Sequence, residues 1–238
     1  MIKIDVNEFR NNAILLHGLE GVNETYTFYY DETNNGRKFH VEEEKFNIPV
    51  DQNFILGGLA YEGKSTNVDT TELFQSLKLQ KTITDVKFKH IASGDFPDVL
   101  KSRKINQVLK WIDSKNLYLH YSNLNPLYFS IVDIIDSAIV GSETIGAFDF
   151  TFANHIKNDF YLVLNENIER TEEIFFRYGY PSIQENEIVD FIDEIIELIE
   201  PYSDNEKSHL GIATTVQILK ASKKTKDIPF ITNEKSIF

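Results

Sequence analysis

Residues Glu24-Thr-Tyr-Thr-Phe-Tyr-Tyr-Asp31-Glu32-Thr-Asn-Asn-Gly36 join a run of aromatic and β-branched side chains to two adjacent acids and a turn. Such a run has the composition of a strand. Side chains alternate faces along a strand, so Asp31 and Glu32 point to opposite sides wherever it stays regular. The strand is predicted to stop at the acids, which puts a carboxylate at the C-terminal edge of the sheet. Open α/β sheets bind ligands at that edge, and a carboxylate there can hold a divalent metal or a reacting water. The same residues also suit a plain strand stop with the acids in a solvated turn, because Asn34, Asn35 and Gly36 are hairpin residues.

Outward from this stretch, further strand signals fall at 38–41, 54–61, 86–91 and 117–121, and helical signals at 70–77 and 104–113. Gly57-Gly58 inside the third strand signals a bend or a close backbone approach. The order predicts an α/β fold, a mixed sheet with flanking helices over 1–125, followed by a largely helical region over 126–238. Within that region 188–199 repeats apolar pairs at three- and four-residue intervals, an amphipathic helix whose acids Asp190, Asp193, Glu194 and Glu197 form a solvated face. A last helix is expected over 206–220, and 228–238 reads as the start of a strand.

The helix predicted over 127–139 is apolar on nearly every side, with Pro126 in its first turn. Its charges, Asp133 and Asp136, are three residues apart and share a face. A buried carboxylate needs a partner or a metal. Either one of the pair completes an acidic site, or both meet Lys, Arg or backbone donors at a domain or subunit contact.

Charge narrows the partners. The net charge of −13 repels polyanions, yet 166–206 alone contributes −11, so the acidity is local. Over 78–110 the balance is instead +5, which suits a phosphate-bearing substrate as well as the solvated faces of amphipathic elements. The absence of cysteine removes disulfides, thiol nucleophiles and thiolate zinc sites, and agrees with a reducing, cytoplasmic setting. No secretory leader and no membrane span is read from the sequence.

Four blocks, FYYDETNN at 28–35, FILGGLAYEG at 54–63, DVKFKHIASGDFPDVLKSRKI at 85–105 and LYLHYSNLNPLYFSIVDIIDS at 117–137, occur in an order and spacing that resembles the bacterial family named domain of unknown function 3800. The resemblance covers about 24–140, more weakly the helical part. It implies a ribonuclease H-like fold and metal-dependent nuclease chemistry, often beside mobile elements or phage defence. It also implies that Asp31 and Glu32 are the acidic pair of the first strand, and that Lys87, in Asp85-Val-Lys87, is the lysine of an acidic-x-Lys block where Asp replaces the usual Glu.

In such a site Asp31 is the central ligand for Mg²⁺ or Mn²⁺, hard ions suited to oxygen donors. Glu32 ligates a second metal or orients a water, and Lys87 meets the scissile phosphate as a point charge. His90 and His120 are candidate proton carriers, with a structural role as the alternative. The helix that normally supplies the last acid after the final strand is not recognisable, so Asp133 or Asp136 would have to supply it, or the chain is a fragment. The expected function is a nuclease on DNA or RNA. The alternative is a catalytically inactive module that self-associates through its helical half.

Overall fold

The computed structural model describes residues 6–36, 39–42, 45–64, 68–79, 83, 86–141, 150–204 and 209–225. In chain order the elements are α1 (Val6–His17), β1 (Tyr26–Thr33), β2 (Val41–Glu42), β3 (Lys45–Phe46), β4 (Phe54–Glu62), α2 (Thr71–Leu77), α3 (Phe96–Lys101), α4 (Arg103–Ser114) and β5 (Tyr118–Leu124). Then follow α5 (Pro126–Gly141), α6 (Phe150–Glu166), α7 (Ile168–Tyr178), α8 (Ile188–Ile199) and α9 (His209–Thr225). The fold is mixed α/β, and its chain divides into two compact units, 1–31 with 56–122 and 32–55 with 123–238.

The first unit is built on an antiparallel sheet in the order β1-β4-β5. Gly63 N–H donates to the Thr25 carbonyl at 2.6 Å and Thr27 Oγ1 to the Gly63 carbonyl at 2.7 Å, fixing the register of β1 against β4. That register brings Gly58 beside Tyr29 and Tyr30, where a Cβ on Gly58 would stand 1.7 Å from the Tyr29 carbonyl oxygen. The doublet therefore marks a close backbone approach. One sheet face carries Leu59, Tyr61 and Leu117, which pack with Val68, Leu73, Val108, Trp111 and Ile112. Helix α4 owes its boundaries to sequence: Ser102 Oγ accepts from Ile105 N–H as N-cap, and the apolar residues Val108, Trp111 and Ile112 recur at helical spacing.

In the second unit α5, α6, α8 and α9 pack on one another around Ile131, Ile135, Phe160, Leu164, Ile195 and Leu219, all buried. Each core helix offers apolar residues three or four apart, and burial of that stripe holds these helices. The hairpin β2-β3, antiparallel with Val41 opposite Phe46, lies on α7. Glu172 of α7, 7% exposed, accepts from Lys45 Nζ at 2.8 Å and from Phe46 N–H at 3.0 Å, while Phe46 meets Phe175 edge-on at 5.8 Å. The acids of α8 are not all solvated. Glu194 accepts from Arg170, Arg177 and Tyr178, and although burial opposes it, the hydrogen bonds from Tyr178 and Arg177 hold its carboxyl below the usual range. Asp193 pairs with Lys223 of α9.

Several expectations are corrected. The strand predicted over 86–91 is a 3-10 turn, Phe88–His90, because local acceptors close it: Ile91 and Ala92 N–H donate to the Phe88 carbonyl and Lys87 N–H to His90 Nδ1. Strand β1 does not stop at the acids but continues through them to Thr33. The sheet is antiparallel, so the rule for carboxyl ends of parallel strands has no purchase on Asp31. The strand signal at 38–41 survives only at its end, in β2, with Lys38 outside the described residues. The strand read at 228–238 also lies outside them. Helix α1, unread in the sequence, is tied by Arg10 Nη2 to Asn23 Oδ1 at 2.7 Å.

The Gly58 approach is open to test. Gly58→Ala must push β1 from β4, and is expected to lower stability by about 1–3 kcal/mol in urea titration, the range for forced overpacking. A loss under about 0.5 kcal/mol, typical of surface changes, would show that the strands are not in contact there.

Candidate functional site

Extending the β1-β4 register sets Gly57 across from Asp31. With no side chain opposite, Asp31 borders a cavity of about 450 Å³, within the first unit, lined by Tyr29, Tyr30, Asp31, Gly57, Gly58, Leu59, Tyr61, Val68, Thr70, Trp111 and Leu117. Tyr29 and Tyr61 stack at 6.1 Å and 29°. Tyr29 is 55% exposed, whereas Tyr61 and Trp111 belong to the small core. The Trp111 Nε1–H is buried and has no hydrogen-bond partner among the described residues. The walls are thus aromatic and apolar, with one carboxylate and the Thr70 hydroxyl among the polar side chains, a composition ordinary for small-ligand sites.

The other predicted site residues lie elsewhere. Glu32 follows Asp31 in β1 and by alternation faces the other side of the sheet; its Oε1 accepts from Asn35 Nδ2 at 2.9 Å. Lys87 sits at the start of the 3-10 turn, and the turn's His90 spends Nδ1 on the Lys87 N–H while its carbonyl accepts from Lys104 Nζ. Asp85 lies outside the described residues. His120 on β5 stands edge-on to Phe28 at 5.4 Å and to Tyr30 at 5.7 Å. It belongs to an exposed aromatic face, with Tyr26, Phe28, Tyr30 and Tyr118 between 38% and 55% exposed. These rings reach one another across β4 where alternation offers only Gly58 and Ala60. Burial first, then Glu62, Tyr118 and Glu24, push the Tyr26 hydroxyl up, which places carboxylates at the rim of this face.

Asp133 and Asp136 are on α5 in the second unit. Asp136 Oδ1 meets Lys157 Nζ of α6 at 2.5 Å. Burial, then repulsion from Asp136, raises Asp133 to about 6 against the attraction of Lys157. Burial and Asp133 also push up the hydroxyl of Tyr180, which donates to the Ser130 carbonyl at 2.5 Å. Asp133 therefore stands in a polar cluster with its own lysine and tyrosine. Among the described residues no three His, Asp or Glu side chains converge to hold a metal ion, and no helix is long and apolar enough to cross a membrane.

Sequence reasoning missed the cavity itself. Its signal was the pairing of Asp31 with a glycine across the ladder, which becomes readable only once the register is known.

Asp133 links folding to pH. Its pKa lies near 3.8 when unfolded and at about 6 when folded, so between these values the native state holds a proton that the unfolded chain releases. The contribution is complete below about pH 4 and is lost as pH rises through about 6. Urea midpoints of the parent are expected to fall over that window relative to those of Asp133→Asn; parallel midpoints would place Asp133 in an ordinary aqueous setting.

The chain matches no protein-family model, and no curated protein or solved structure shows significant similarity to it.

Proposed function

We propose that the chain is a Mg²⁺- or Mn²⁺-dependent phosphodiester hydrolase with a ribonuclease H-like core, a nuclease on DNA or RNA acting in the bacterial cytoplasm, beside mobile elements or in phage defence. The observation that carries this reading is Asp31, a strand carboxylate at the edge of an aromatic cavity. Charge supports it: the first unit has 12 basic and 12 acidic residues, so the whole net charge of −13 belongs to the second. A polyanion meets no net repulsion from the unit that bears Asp31.

A single carboxylate fits Mg²⁺ or Mn²⁺ rather than a closed protein cage, because such ions retain waters and take substrate phosphate oxygens alongside one or two carboxylates. Asp31 would hold the ion. Bound there, the ion would neutralise phosphate charge and acidify a water. Tyr29 and the cavity walls orient the substrate, and Lys87, outside the cavity lining, would meet phosphate only farther along a bound strand. Asp136, paired with Lys157, and Asp133, half-buried beside them, serve the second unit's packing in this reading.

The test starts without a guessed substrate. A ligand that binds only the folded chain raises its thermal midpoint. Mn²⁺ at millimolar concentration is expected to raise the midpoint over EDTA in the parent and not in Asp31→Ala, and the parent alone is expected to cleave DNA or RNA. Full cleavage by Asp31→Ala would sink the assignment.

The exposed aromatic face of the sheet favours a second reading, a catalytically inactive module that self-associates. The helical half buries most of its described apolar residues but leaves Leu162, Phe176 and Leu210 exposed, and the aromatic sheet face adds a second candidate contact in addition to that half. Sedimentation velocity over a hundredfold concentration range is expected to show a dimer that Phe28→Ser abolishes; a monomer throughout removes this reading.

A further inference from the structure

The cavity beside Asp31 has a shape and lining that say more about the substrate than the carboxylate does. Its volume of about 450 Å³ falls in the lower half of the range for small-ligand sites, about 300–1,000 Å³. That room accepts one nucleotide and not a stacked base pair. Tyr29 presents an exposed ring above Tyr61, and Trp111 and Leu117 close the apolar side. Flat aromatic walls select a flat aromatic guest, since base-on-ring stacking works for any base through its π-face. The polar groups lie at the margin, Thr70 ahead of α2 and Asp31 on β1, where a sugar and phosphate would emerge.

We infer that this cavity receives one unpaired nucleobase, so that the chain takes single-stranded nucleic acid or a frayed end and does not take continuous duplex. The inference rests on the nuclease reading for its substrate chemistry, and it fixes the substrate class. A base inside a duplex reaches such a pocket only after unpairing and unstacking, which costs a few kcal/mol and favours strands already single. Asp31 at the cavity edge then stands beside the backbone of the captured nucleotide.

The molecule carries its own probe. Trp111 is the single tryptophan of the chain and forms part of the cavity wall. In EDTA, where no metal-dependent cleavage occurs, the four nucleoside 5′-monophosphates and a short single-stranded oligonucleotide are expected to quench its fluorescence saturably, and a blunt duplex to leave it unchanged. Thr70 is exposed and makes no side-chain cap bond to α2, so Thr70→Phe can plug the mouth without removing a structural contact. It is expected to abolish quenching. Tyr29→Ala, at an exposed ring, is expected to weaken binding about tenfold, within the range of one lost stacking partner.

Quenching by ribose 5-phosphate equal to that of the nucleotides, equal quenching by blunt duplex, or quenching untouched by both variants would overturn the inference. Failure here is separable from failure of the nuclease reading. Saturable binding with no Mn²⁺-dependent cleavage of any strand removes the nuclease and keeps the pocket. Mn²⁺-dependent cleavage that is lost in Asp31→Ala yet unaffected by Thr70→Phe, with no quenching, removes the pocket and keeps the nuclease.

Discussion

Everything at the candidate site depends on the backbone of β4 lying flush against that of β1 at Gly58 and Tyr29. A side chain of any size on Gly58 would separate the strands, and the register that sets Gly57 across from Asp31 would be lost with them. The two glycines divide the labour. Gly58 permits the approach, and Gly57 lines the cavity without adding a side chain to it. On the reverse face the same lack of side chains lets Phe28 and Tyr30 reach His120 from the far strand. A short glycine doublet thereby shapes both surfaces of a three-stranded sheet.

Long periodic segments were legible in the sequence because burial alone selects them. Helix α8, with its paired isoleucines, and α5, with its nearly all-apolar composition, came out within one or two residues of their observed bounds. Strand β4 was equally plain. What failed were readings that needed a partner. The segment 86–91 alternates like a strand, but His90 Nδ1 and the Phe88 carbonyl close it locally, and Ser102 and Lys104 donate to the carbonyls of Ile91 and His90. The acids of α8 looked solvated because their partners, Arg170, Arg177 and Lys223, come from other helices. At the site, the exposure of Asp31 on one strand face could be read from alternation, whereas the cavity beside it required the register. The separation of Asp133 from Asp31 into different units followed from no local signal.

The charge of the chain is better described by unit than by sum. The sheet unit is neutral and includes the ion pairs of Asp98 with Lys101 and Glu72 with Lys115; the helical unit holds the excess and sets part of it in cross-helix ion pairs such as Asp193 with Lys223 and Glu200 with Lys220. Exposed pairs of this kind contribute little each, about 0–1 kcal/mol, so their use is to restrain self-repulsion among α7, α8 and α9 rather than to hold the core. The core is held by isoleucine, leucine and phenylalanine.

The hairpin of β2 and β3 has a consequence for the order in which the protein can assemble. Its anchor, Glu172, lies 127 residues beyond Lys45. At a synthesis rate of about 5–20 residues per second, roughly 6–25 s pass between the appearance of the strands and the appearance of the helix that covers them. During that interval Phe46 has neither Phe175 nor the carboxylate that fixes its amide. The nascent chain thus leaves the ribosome with Val41 and Phe46 uncovered and the amide of Phe46 without its carboxylate until α7 arrives.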